Sequence, residues 1–221
     1  MVWSIPNLLT VGRLLAAPAI ALIYLVLDRP LADWAAFAIF LVASGTDYVD
    51  GALARRWQQV SKFGAMADPI ADKAMVITAL MVVLGHSNMN PWLILPASVI
   101  VFREIFVSGL REYLGAKASK LSVTKLAKWK TTVQMIAISV LFVGLALDQT
   151  HLRFYATHTP EEYQAMVDSG PQGGSWVWWA MEYAASVWWS GVILLWVSGI
   201  LTAITGWDYF SKARPYLADE Q

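Results

Sequence analysis

Apolar positions run in six blocks along the chain: Leu14–Leu27, Trp34–Thr46, Met75–Gly85, Trp92–Leu110, Val133–Leu147 and Ser186–Ile204. A helix needs about 20 apolar residues to cross the hydrocarbon core of a bilayer. The shorter blocks therefore predict helices that continue past their apolar runs into polar surroundings. Ahead of the first block, "WSIPNLLTVGR" offers Ser4 as an N-cap and Pro6 in the first turn, the pattern of a short helix lying in the interface. The start lacks the charged region and small-residue cleavage site of a signal peptide, so the first apolar run reads as the first span. The predicted fold class is all-α integral membrane: six transmembrane helices behind a short N-terminal interfacial helix, in a single membrane-embedded domain over residues 1–221. Residues 148–175 carry Asp148, Glu161, Glu162 and Asp168 against Arg153 and end in "GPQGG". They predict an outward-facing loop, a solvated connector.

Composition agrees, because 57% of the 221 residues are hydrophobic and 14% charged, where a soluble domain carries about a quarter charged residues. The absence of cysteine excludes disulfides and thiolate metal sites. A net charge of zero is silent about partners, and nothing in the sequence implies nucleic acid. The distribution of basic residues is informative. With six spans and the N-terminus inside, 14 of the 16 lysines and arginines fall on inner segments, leaving Arg29 and Arg153 outside. This positive-inside bias predicts a multi-pass membrane protein whose N-terminus faces the cytoplasm. Of the twelve tryptophans, the group between Trp176 and Trp196 suits an interfacial belt.

Against this background, "GTDYVDGALARRWQQVSKFGAMADPIADK" sets Asp47, Asp50, Asp68 and Asp72 at the ends of two apolar blocks, on the inner side. On helices, the three-residue spacing separates the first pair by about 60° of rotation and the four-residue spacing separates the second by about 40°. Each pair shares a face, and the intervening segment can turn the chain so that the four carboxylates converge. Unpaired, they would repel and some would take up protons. A divalent cation resolves the conflict, and hard oxygen ligands suit Mg²⁺ or Mn²⁺ better than zinc. Gly51 and Gly64 remove side chains where a ligand could approach the backbone. Arg55, one turn after Gly51, offers a planar fork suited to phosphate oxygens. Singly, each residue has a bland reading as a helix-end charge, a packing glycine or a positive-inside arginine. Together they describe a diphosphate site.

The same residues fill every fixed position of D-x2-D-G-x2-A-R-x8-G-x3-D-x3-D: Asp47, Asp50, Gly51, Ala54, Arg55, Gly64, Asp68 and Asp72. In this the chain resembles the CDP-alcohol phosphotransferases. The resemblance implies a six-helix, usually dimeric enzyme that displaces CMP from a CDP-linked lipid with an alcohol. It implies that Asp47, Asp50, Asp68 and Asp72 bind one or two divalent metals, with Asp72 doubling as the general base. Gly51, Arg55 and Ser61 should contact the CDP part with Gly64 beside them. Asn7 and Thr10 match the family's N-terminal N-x2-T element and should close over the nucleotide.

The acceptor is read further along. "FREIFVSGLREYLG" puts Arg103 and Glu104 inside the fourth span, and charges within a span default to a functional site. Arg103, Val107 and Arg111 line one stripe and Glu104, Ser108 and Glu112 the next, while "SVTKLAKWKTT" adds Lys125, Lys128 and Lys130 just before the fifth span. A basic pocket predicts an acceptor carrying its own phosphate, held by Arg103, Arg111, Lys125 and Lys128. The competing structural reading pairs Arg103 with Glu104 to hold helices together, and leaves the lysines as juxtamembrane charges near anionic lipid. "IPNLLTVGR", "FGAMADPIADK", "REIFVSGLREYL" and "KLAKWKTT" resemble the branch of the family that makes phosphatidylglycerophosphate. That likeness implies CDP-diacylglycerol and sn-glycerol 3-phosphate as substrates.

Three alternatives stand beside this reading. A relative using inositol phosphate, serine or phosphatidylglycerol would share the metal motif. An intramembrane prenyltransferase also holds diphosphate through aspartates and Mg²⁺, but it does not require the G-x2-A-R-x8-G framework and releases pyrophosphate. A transporter could line an ion path with intramembrane acids and an arginine.

Overall fold

A computed structural model describes residues 5–57, 61–115, 117, 125–173 and 175–217; within these, the side chains of residues 6, 47–57, 125, 127 and 128 are not described. The described chain is all α: α1 Ile5–Val26, α2 Leu31–Trp57, α3 Lys62–His86, α4 Pro91–Leu114, α5 Lys125–Thr157, α6 Pro160–Ser169 and α7 Trp176–Ala213, with 3-10 turns at Pro171–Gly173 and Arg214–Tyr216. Among the described residues, four segments are long and apolar enough to cross a membrane: Asn7–Val26, Pro91–Leu114, Trp129–Thr157 and Trp176–Tyr216. In α2 the apolar stretch Leu31–Thr46 is shorter, and α3 carries Lys62, Asp68, Asp72 and Lys73 in its first half.

Local chemistry sets several helix ends. Ser61 caps α3 by accepting from Gly64 N–H at 2.9 Å, and Asn90 caps α4 by accepting from Trp92 N–H at 3.0 Å, with Pro91 in the first turn. Each satisfies one of the donors that a helix start leaves open.

Two expectations change. The N-terminal segment is no separate interfacial helix, because α1 runs unbroken from Ile5 to Val26. Pro6 sits in its first turn, where its missing N–H costs nothing. Nor is 148–175 an irregular loop. Helix α5 continues to Thr157, and α6 starts on a capping box in which the Thr159 and Glu162 side chains each accept from the other's backbone N–H. Pro160 occupies the first turn of α6 and Gly170, at φ 58°, ends it. Once clear of an apolar layer, a polar sequence with these caps is free to stay helical.

Helix α7 packs along α5 and α4, while α1 packs on both α2 and α3. The core between them is built from Ile20, Phe40, Leu80, Ile138, Leu141 and Leu195, all at most 1% exposed. The rings of Phe40 and Phe142 tie α2 to α5 at 6.0 Å between centroids. Close approach of α5 and α7 depends on Gly144, where a Cβ would lie 3.1 Å from Trp188 Cα. Small residues at such crossings let helices meet where no water drives them together. Leu25, Met81, Phe102, Ile105, Ile193 and Trp207 instead lie exposed on the outside, an apolar surface that a bilayer would cover. At the end of the bundle away from the aspartates, Asp33 is fully buried and accepts from Arg29 Nε at 2.8 Å and Tyr24 Oη at 2.9 Å. Arg153 of α5 donates to the Arg29 carbonyl at 3.1 Å, bracing the α1–α2 turn.

Candidate functional site

Asn7, Thr10 and Arg13 are three residues apart along α1 and so share one face, which lies against the start of α3. The contacts form three rungs. Ser61 Oγ donates to Asn7 Oδ1 at 2.6 Å, and Thr10 Oγ1 donates to Asp68 Oδ1 at 2.6 Å. Arg13 donates through Nη2 to Asp68 Oδ1 at 3.1 Å and through Nη1 to Asp72 Oδ1. Asn7, Thr10 and Arg13 are buried, Arg13 to 1% exposure, whereas the Asp68 and Asp72 side chains are 45% and 43% exposed. Protein therefore grips these carboxylates from behind and leaves them open in front. Gly64 makes the approach possible, since a Cβ there would lie 3.1 Å from Asn7 Oδ1 and 3.3 Å from Ser61 Oγ.

Of the residues expected at the diphosphate site, the structure thus brings together Asn7, Thr10, Ser61, Gly64, Asp68 and Asp72. Asp47, Asp50, Gly51 and Arg55 lie on α2, and their side chains are outside the described residues. Among the described residues no set of three histidines or carboxylates is grouped for a metal ion. An apolar groove of about 460 Å³ between α1 and α2, lined by Leu8, Gly12, Ala38, Val42 and Thr46 among others, has Arg13 on its wall. It ends beside the residue preceding Asp47.

The second polar cluster lies between α4, α5 and α7. Glu104 Oε1 accepts from Arg103 Nη1 at 3.2 Å and from Lys130 Nζ. Arg103, Glu104 and Lys130 are 17%, 14% and 5% exposed, so this is a nearly dry ion triad. The stem of Arg103 runs over Gly206 of α7, where a Cβ would come within 2.9 Å of Arg103 Cγ. Arg103 Nε has no hydrogen-bond partner among the described residues. Nearer the end of α4, the exposed Arg111 guanidinium lies over the Tyr209 ring at 5.8 Å. The side chains of Lys125 and Lys128 are outside the described residues.

Sequence reasoning alone does not single out two residues of these clusters. Arg13 and Lys130 both count towards the positive-inside bias, which any basic residue near the inner face satisfies. For Arg13 a signal exists in its spacing, three residues beyond Thr10 on the Asn7 face.

A family model described as CDP-alcohol phosphatidyltransferase matches residues 3–204. A protein of Cereibacter sphaeroides is 57% identical over 226 residues, covering 100% of both chains. One of Rickettsia bellii is 34% identical over 213 residues, 96% of this chain and 97% of its own. One of Shigella flexneri is 40% identical over 158 residues, 66% of this chain and 86% of its own. All three are named CDP-diacylglycerol–glycerol-3-phosphate 3-phosphatidyltransferase.

Proposed function

Because the chain belongs to the CDP-alcohol phosphatidyltransferase family, we infer that it transfers the phosphatidyl group from CDP-diacylglycerol to sn-glycerol 3-phosphate. The acceptor hydroxyl oxygen attacks the lipid-side phosphorus, the phosphoanhydride bond breaks, and CMP leaves with the electron pair. Phosphatidylglycerophosphate is the lipid product. Full-length similarity at 57% identity to a protein named for this reaction carries the assignment.

The site suits one or two Mg²⁺ or Mn²⁺ ions. Asp68 and Asp72 are hard oxygen donors, half-open to solvent, and Asp68 Oδ2 accepts no hydrogen bond from any described residue. Asp47 lies ten residues before the end of α2 and Asp72 ten residues after the start of α3. Each is therefore about 15 Å along its helix from the end that faces the segment joining α2 to α3 in sequence, and Asp50 and Asp68 correspond similarly. These four aspartates would hold the ions, which when bound would polarise the lipid-side phosphate and neutralise charge developing towards CMP.

The remaining work falls to the chain. Asp72 takes the proton of the attacking hydroxyl as general base. Gly51, Arg55 and Ser61 line the CDP end, with Asn7, Thr10 and Gly64 shaping the wall behind it. The groove between α1 and α2 receives acyl chain from the bilayer. Arg103 and Arg111, with Lys125 and Lys128, gather the phosphate of glycerol 3-phosphate; the unpartnered Nε of Arg103, so far as the described residues go, supports its place there. Much of the acceleration should be positioning and electrostatics, as in other phosphoryl transfers. The enzyme forms one catalytic domain of six spans and works as a homodimer in the bacterial cytoplasmic membrane. Its site and N-terminus face the cytoplasm, as the basic residues indicate. The test is incorporation of labelled glycerol 3-phosphate into lipid by purified protein with CDP-diacylglycerol and Mg²⁺. Absence of labelled lipid product from folded protein would overturn the assignment.

A further inference from the structure

Arg13 is the largest fully buried side chain among the described residues, and its guanidinium donates to both Asp68 and Asp72. Burying a charge is costly unless it is paired and hydrogen-bonded. A packing role alone would be met by an apolar residue, as it is at Ile20 on the same helix. The cation lies behind two half-exposed carboxylates whose other faces point away from it.

We propose that Arg13 is a positioning residue of the metal site, a fork that locks the side chains of Asp68 and Asp72 into one arrangement before any ion arrives. This rests on the reading of those aspartates as metal ligands. Three features of the geometry support it. The two carboxylates are four residues apart on α3, and the planar guanidinium places separate N–H groups on both in a fixed geometry, whereas a lysine ammonium carries its rotatable donors on a flexible stem. On Asp68, Arg13 and Thr10 both donate to Oδ1, so the residue is held through one oxygen and the other stays clear of donors among the described residues. Finally, Arg13 follows Asn7 and Thr10 on a single face, so all three rungs fix α1 against α3 as one rigid contact. Partners that orient metal ligands in this way typically matter about 10–100-fold for metal affinity.

The experiment measures Mn²⁺ binding to purified full-length protein in detergent by electron paramagnetic resonance, without substrates, so that the readout is independent of turnover. Wild type, Asp68→Asn, Arg13→Lys and Arg13→Gln are compared, with thermal unfolding of the metal-free proteins recorded alongside. Asp68→Asn should lose Mn²⁺ binding. Arg13→Lys, which keeps the charge, should stay folded and bind Mn²⁺ about 10–100-fold more weakly, and Arg13→Gln at least as weakly. Unchanged or tighter binding in folded Arg13→Lys overturns the proposal while leaving the metal site standing. Failure of both Arg13 variants to fold makes the residue purely structural and also overturns it. Wild-type affinity in Asp68→Asn removes the metal site and the proposal together.

Discussion

Replacing Lys130 by Met should destabilise the protein strongly, and replacing Glu104 by Gln at the same time should restore much of the loss. The Lys130 and Glu104 side chains are 5% and 14% exposed, so without Lys130 the carboxylate sits largely away from water with only the 3.2 Å bond from Arg103 Nη1 left among the described residues. Removing one partner of a buried pair costs about 3–5 kcal/mol, an upper limit here because Arg103 stays on the carboxylate, whereas replacing both by uncharged groups of similar volume is often nearly neutral. For a chain of 150–250 residues each kcal/mol moves the unfolding midpoint by about 2–4 °C, so Lys130→Met should lower it by at most roughly 20 °C. In the double variant the amide oxygen of the introduced glutamine still accepts from Arg103, which is itself 17% exposed, and a remaining cost of about 1–2 kcal/mol is expected for that weaker bond. The cycle is measured by thermal unfolding of purified protein in detergent. A coupling of at least about 1 kcal/mol is predicted, beyond the scatter of about 0.5 kcal/mol between independent sites. Additive losses would refute the reasoning and mean that Glu104 and Lys130 are solvated separately.

Other predictions address the chemistry. Asp68→Asn should bind Mg²⁺ weakly and collapse turnover, which normal turnover at limiting Mg²⁺ would contradict. Asp72→Asn should keep CDP-lipid binding better than Asp68→Asn does yet lose transfer; equal loss of lipid binding would make Asp72 another ligand only. Arg111→Lys and Arg103→Lys each exchange a fork for a point charge and lose a charge-assisted bond of about 1.5–3 kcal/mol. The Michaelis constant for glycerol 3-phosphate should rise about tenfold or more while that for CDP-diacylglycerol barely moves, and equal effects on both would leave the arginines as helix braces. In α6, hydrogen bonds from Thr159 hold the Glu162 carboxyl below the ordinary glutamate range. A depressed folded-state value stabilises above the unfolded one and is lost as pH falls through the folded one. Glu162→Ala should therefore speed α6 amide exchange relative to wild type at neutral pH, and the two proteins should converge in strong acid.

The contacts of Asn7, Thr10, Ser61, Gly64, Asp68 and Asp72 involve residues that the sequence had already singled out, because much of that information is local: carboxylates four apart must share a helix face, and Gly64 and Ser61 belong to the same turn as the helix start. What escaped was the partner across the helix interface. Arg13 is distant in sequence from Asp68 and Asp72, and a basic residue near the inner face already has an explanation in topology. Lys130 was hidden by the same explanation, and only the side-chain contact of its Nζ with Glu104 Oε1 reveals it as the counter-charge of Glu104. Segment 148–175 misled for a different reason. Its polarity and closing glycines pointed to a loop, yet Thr159-Pro160-Glu161-Glu162 is a capping signature, and polarity alone does not prevent a helix outside the membrane. Helices α5 and α7 outrun their apolar blocks on the same principle, at 33 and 38 residues.

The central claim is the transfer of a phosphatidyl group to glycerol 3-phosphate with release of CMP. Its most direct test follows CMP from purified protein given CDP-diacylglycerol, Mg²⁺ and, separately, glycerol 3-phosphate, inositol phosphate, serine or phosphatidylglycerol, each with and without chelator. The account predicts CMP release with glycerol 3-phosphate that the chelator abolishes, and far less with the other alcohols. CMP release that prefers another acceptor, or that persists unchanged in chelator, would contradict it.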